Sequence, residues 1–167
     1  TGLLGWAVGA ESAFVWTNWA LWTTWPIAVA VAARAFGLRP RAAALAAVCS
    51  PLLVSATGYG FELFSYSWLG NGLWSQLWGM WVAPLALAWS ARAVAEGRRF
   101  GRAGAAVALT VACHLPTAWF VLLCLGLWPL VRPSQWRQRV PRTIVLAVGS
   151  LAMSAWVLVP LLTDQWA

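Results

Sequence analysis

The 167-residue chain is 62% hydrophobic and only 9% charged, with a mean hydropathy of +0.73 and a net charge of +7. That balance excludes an ordinary soluble domain and predicts an all-α, polytopic transmembrane bundle. The 11 basic residues are all arginine and fall into three clusters between apolar runs, the positive-inside pattern and not a nucleic-acid footprint.

The chain starts at Thr1 with no initiator methionine and no basic leader, which predicts an internal piece of a longer protein, read here as a single transmembrane domain over residues 1–167. Thr1 to Ser12 is a Gly-rich lead-in ending near Glu11. Residues 13–33 form the first predicted span, with Trp16, Trp19, Trp22 and Trp25 spiralling around it as an interfacial belt. Arg34, Arg39 and Arg41 follow, then a second span over 42–59. The segment Gly58 to Gln76 holds Glu62, no arginine, and many glycines and aromatics. Residues 73–91 make the third span, with Trp74, Trp78 and Trp81 at one-face spacing.

Arg92, Arg98, Arg99 and Arg102 surround a turn at Glu96-Gly97. Ala103 to Val131 is then apolar for 29 residues, about 43 Å as one helix and longer than a hydrocarbon core of about 30 Å. It is interrupted only by Cys113-His114-Leu115-Pro116-Thr117, which contains the sole histidine. Arg132, Arg137, Arg139 and Arg142, broken by Pro133 and Pro141, lead into a last span over 143–163 that ends at Asp164.

Parity decides how 103–131 is read. A single crossing puts the third arginine cluster on the side of Glu62. A re-entrant hairpin, entering and returning, puts all arginines inside and Glu11, Glu62 and Asp164 outside, which satisfies the positive-inside rule. The hairpin is therefore predicted, with arginine loops cytoplasmic and the Glu62 loop extracytoplasmic on a multi-pass plasma-membrane protein. Non-helical backbone at membrane depth needs a protein-lined or polar surrounding, so His114 is expected beside a cavity.

Two constellations could carry chemistry. His114 can serve as general acid or base, or as a donor to a phosphate or sugar oxygen; equally, its ring can cap a helix end. Tyr59, Glu62, Tyr66, Trp68, Asn71, Trp74 and Gln76 combine amides, a carboxylate and flat rings, as carbohydrate binding requires; an aromatic girdle with Gly-Asn-Gly turn chemistry would look the same. Catalytic candidates are His114 and Glu62; substrate-binding candidates are Tyr59, Glu62, Asn71, Trp74, Gln76 and His114. Cys49, Cys113 and Cys124 match no metal or redox spacing and read as small apolar residues. No metal or cofactor is expected.

A resemblance adds to this. A Trp25-Pro26 span runs into Ala33-Arg34-Ala35-Phe36-Gly37-Leu38-Arg39-Pro40-Arg41, followed by a Gly-rich loop. Ala83-Pro84-Leu85-Ala86-Leu87-Ala88 comes next, then an Arg-rich turn, the helix ending at His114, and Val159-Pro160-Leu161-Leu162. This order resembles the bacterial 6-pyruvoyl-tetrahydropterin-synthase-related integral membrane proteins, which are similar to C-type glycosyltransferases that use polyprenyl-phosphate sugars. The resemblance implies sugar transfer at the extracytoplasmic face, with a polyprenyl-phosphate-sugar donor, a glycan acceptor and membrane lipids as partners. It implies no pterin chemistry. The family's catalytic acid lies in an early outward loop, which no residue here matches, so it is expected before Thr1. Competing readings are a transporter or lipid flippase, built on broken helices, and a non-catalytic membrane protein.

Overall fold

A computed structural model describes residues 9–52 and 74–163. Among them the chain is all-α, with no strand. Helix α1 is Ala10–Ala35, α2 is Pro40–Cys49 with a 3-10 turn at Ser50–Leu52, and α3 is Trp74–Glu96. Then come α4, Phe100–Cys113, and α5, Leu115–Leu127. Two 3-10 turns, Trp128–Val131 and Pro133–Gln135, lead to α6, Trp136–Met153, and α7, Ala155–Thr163.

Helix α3 is the centre, packed against α1, α4, α5 and α6. Its buried positions are mostly small: Ala83, Ala86, Ala88, Ser90 and Ala93. Small side chains let helix backbones approach closely, so packing and dispersion act where large side chains would hold the helices apart. Leu77 meets Leu21, and Leu85 and Ala88 meet Ala28 and Ala32, so α1 runs parallel to α3. One cross-helix hydrogen bond fixes that register, from Trp81 Nε1 to Thr24 Oγ1 at 3.1 Å.

The chain folds back at His114. Val107 and Val121 share one apolar cluster with Val82, Ala83 and Ala86; Ala103 and Leu125 share the next with Ala93, Val94 and Leu146. Each pair is equidistant in sequence from His114, so α4 and α5 are antiparallel arms laid along α3. Pro116 falls in the first turn of α5, where its missing N–H removes no helical hydrogen bond.

Turn chemistry explains the other reversals. Gly37, at φ +93°, ends α1 in a Schellman motif: Leu38 N–H donates to Ala33 O and Gly37 N–H to Arg34 O. Gly97, at φ +69°, ends α3. Arg142 Nη1 donates to Val94 O at 3.1 Å and Ala95 O at 3.0 Å, satisfying carbonyls that the end of α3 leaves free.

Several predicted boundaries move. Within span 42–59, α2 stops at Cys49, and residues beyond Leu52 lie outside the described ones. The third arginine cluster is not a loop broken by Pro141: α6 begins at Trp136 and carries Arg137, Arg139, Pro141 and Arg142. Pro141 lies near the start of α6, where it removes one hydrogen bond, to the Arg137 carbonyl. Span 143–163 breaks at Ser154, whose hydroxyl donates to Ser150 O while Ser150 donates to Leu146 O, a back-bonding pattern that bends helices. Cys49, Cys113 and Cys124 are free and half-buried.

No single helix among the described residues is both long and apolar enough to cross a membrane alone. Helices α1 and α3 reach about 39 and 35 Å, but their Trp residues, with Thr and Asn in α1 and Ser and Arg92 in α3, lower the mean hydropathy. Leu115–Val131 and Pro133–Met153 pass together, bent by 91°.

Candidate functional site at the hairpin tip

His114 has extended backbone (φ −157°, ψ 107°) between two helices and serves both. Its N–H donates to Thr110 O, closing α4, and its carbonyl accepts from Ala118 N–H, opening α5. The ring caps α5: Nδ1 accepts from Thr117 N–H at 3.4 Å and lies 2.8 Å from Thr117 Oγ1. A backbone N–H can only donate, so Nδ1 is an acceptor and the neutral ring carries its proton on Nε2. Nε2 has no partner among the described residues. The ring thus combines the two predicted roles: one nitrogen caps a helix, and the other is an available donor.

The tip rests on α3 at Gly79. A Cβ placed there would lie 2.7 Å from His114 Cβ, so only glycine admits the tip. Gly79 and Thr117 were not singled out in the sequence. Their signals were a glycine inside a helical pattern, which asks for a close neighbour, and a threonine three residues after a cap position.

Of the other predicted residues, Gln76 lies one turn before Gly79 in α3, and its Nε2 is 3.6 Å from Met80 Sδ. The structure therefore brings His114 and the first turns of α3 to the same end of the bundle. Trp74 opens α3; its side chain, and Tyr59, Glu62, Tyr66, Trp68, Asn71 and Asp164, lie outside the described residues. Glu11 is exposed at the start of α1.

The opposite end of the bundle is basic. Arg34 ends α1, Arg92 to Arg102 surround the α3–α4 turn, and Arg132 to Arg142 surround the start of α6. Glu96 accepts from Arg92 Nε at 2.9 Å and Arg98 Nε at 2.7 Å, the only ion pairs among the described residues. The Arg98 and Arg92 hydrogen bonds hold its carboxyl below the usual range. The Arg102 guanidinium lies 3.7 Å over the Trp89 ring. Among the described residues no group of three or more His, Cys, Asp or Glu could hold a metal. No protein-family model, curated protein or solved structure matches this chain.

Proposed function

We propose that the chain is part of an integral membrane glycosyltransferase that takes sugar from a polyprenyl-phosphate donor at the extracytoplasmic face. Membrane residence is supported by the way sizes sort. Alanine is the commonest residue of the core, with Leu and Val among it, while Trp16, Trp119, Phe120, Leu123, Val148 and Trp156 face outward. So many exposed large apolar side chains, on α1, α5, α6 and α7 alike, fit lipid. The helical hairpin returns to the basic end, so one side of the bilayer takes every described arginine cluster.

In that frame His114 lies about 18 Å along α4 from Arg102, past the middle of a core of about 30 Å and short of the α3 start. One observation carries the assignment: an Nε2–H donor with no described partner, held at that depth by a helix cap. It would donate to the phosphate or a sugar oxygen while a base outside these residues deprotonates the acceptor hydroxyl. The hydroxyl then attacks the anomeric carbon, and polyprenyl phosphate leaves. Gln76, one turn from the tip contact, would line the same path, with Tyr59, Glu62, Asn71 and Trp74 as candidates on the adjoining segment.

The transporter reading uses the same helix break. The described acids, Glu11 and Glu96, both stand at helix ends, which leaves that reading no midplane carboxylate within these residues.

The test is His114→Ser in the full-length protein. Serine is a good N-cap but has no Nε2 donor. Sugar transfer should fall by about a hundredfold while the protein stays folded. Unchanged transfer by a folded His114→Ser enzyme would remove His114 from the site.

A further inference from the structure

Arg139 lies on α6 at the basic end and is only 7% exposed, yet it has no carboxylate partner. Its Nε donates to Gln135 Oε1 at 3.0 Å and its Nη1 to Trp128 O at 3.4 Å, both neutral acceptors. A buried guanidinium is stable when an anion shares its surroundings. Trp128, whose carbonyl accepts from Arg139, also has a buried Nε1 without a hydrogen-bond partner among the described residues. Both residues border an open cavity of about 300 Å³ between the end of α1, the last turns of α3 and the α5–α6 junction. Arg92 and Arg132 line it as well, and Glu96, the single acid there, is already engaged by Arg92 and Arg98.

We propose that this cavity binds the phosphate of an anionic phospholipid headgroup. Arg132 and Arg139 supply charge-assisted donors, and Trp128, whose buried N–H has no partner among the described residues, lines the same cavity. Apolar side chains distinguish a lipid from free phosphate. Leu123 and Leu127 are exposed one turn apart on α5 and Val131, in the 3-10 turn that follows, lines the cavity; Ile27 and Val31 are exposed one turn apart on α1, toward Ala35. They offer acyl chains a track that ends where the headgroup sits. The proposal rests on the membrane placement above but not on sugar transfer.

The experiment has two stages. The full chain is first reconstituted into phosphatidylcholine vesicles; failure to incorporate would overturn the membrane placement and this site together. The detergent-solubilised protein is then titrated with dioctanoyl-phosphatidylglycerol, dioctanoyl-phosphatidylcholine and inorganic phosphate, with bound ligand read by native mass spectrometry. Retention of phosphatidylglycerol over both others is expected. Arg132→Gln should weaken it about fivefold, and Trp128→Phe should also weaken it. Arg137→Gln, an equal charge loss at an exposed neighbour that does not line the cavity, should leave it unchanged. Equal loss in Arg132→Gln and Arg137→Gln means general surface attraction and overturns the site, as does phosphate binding as tightly as the lipid. Incorporation with no preference for phosphatidylglycerol overturns the site alone.

Discussion

An alanine methyl at position 79 would lie 2.7 Å from His114 Cβ and 3.6 Å from Thr117 Cβ, where neither atom is the end of a flexible chain. Gly79→Ala should therefore destabilise the protein by about 1–3 kcal/mol and displace the hairpin tip. Gly149→Ala is the matched control: nothing lies within 4 Å of its added methyl, and α6 should gain about 0.5–1 kcal/mol from lower backbone entropy. Thermal unfolding in detergent reads both, and equal shifts would refute the contact. The tip thus depends on one absent side chain. His114 could be picked out from the sequence because it is the only histidine and interrupts an apolar run. Its seat could not, because a glycine inside a helical pattern does not say which partner approaches it.

At the scale of elements, Glu96 closes α3 at the negative end of the helix dipole, where a carboxylate is unfavourable on its own. Arg92 and Arg98 reverse that. Because its pKa is lowered in the folded protein, the stabilisation is present above the ordinary carboxylate range and is lost as pH falls through the lowered folded value. On acidification below about pH 4, wild type should lose melting temperature that Glu96→Gln does not. Parallel curves for the two would show the pair contributes nothing. The fold-back at His114 followed from the parity of the arginine clusters, the apolar run being too long for one crossing, and α3 starts within a residue of its expected place. The start of α6 was hidden. Arg137, Arg139 and Arg142 read as a polar loop because composition cannot report that one of them is buried against Trp128 and another reaches the end of α3. Contacts between positions 94 and 142 have no signature in local periodicity.

For the whole molecule, the antiparallel α4–α5 arms put all three arginine clusters at one end and His114 near the other. In intact cells, on a cysteine-free background, Ser134→Cys should be labelled only after the membrane is opened, while Ser12→Cys should be labelled from outside. Outside labelling at Ser134 would make the hairpin a single crossing and remove the depth argument for His114. The sorting of small residues inward and large apolar residues outward was only partly legible. Trp spacing on α1 suggested a belt, but which alanines form the interior depends on the α3 neighbours, and those are set by tertiary packing.

The Arg142 bonds to Val94 and Ala95 make the end of α3 depend on a residue 47 or 48 positions downstream. While the chain is being synthesised, that last turn stays uncapped until the start of α6 arrives. A chain stopped at Val131 would carry α3, α4 and α5 with bare carbonyls beside Gly97. Amide exchange at Ala95 and Glu96 should then be faster in that truncated chain than in the full one, and Arg142→Met should reproduce the loss without shortening anything.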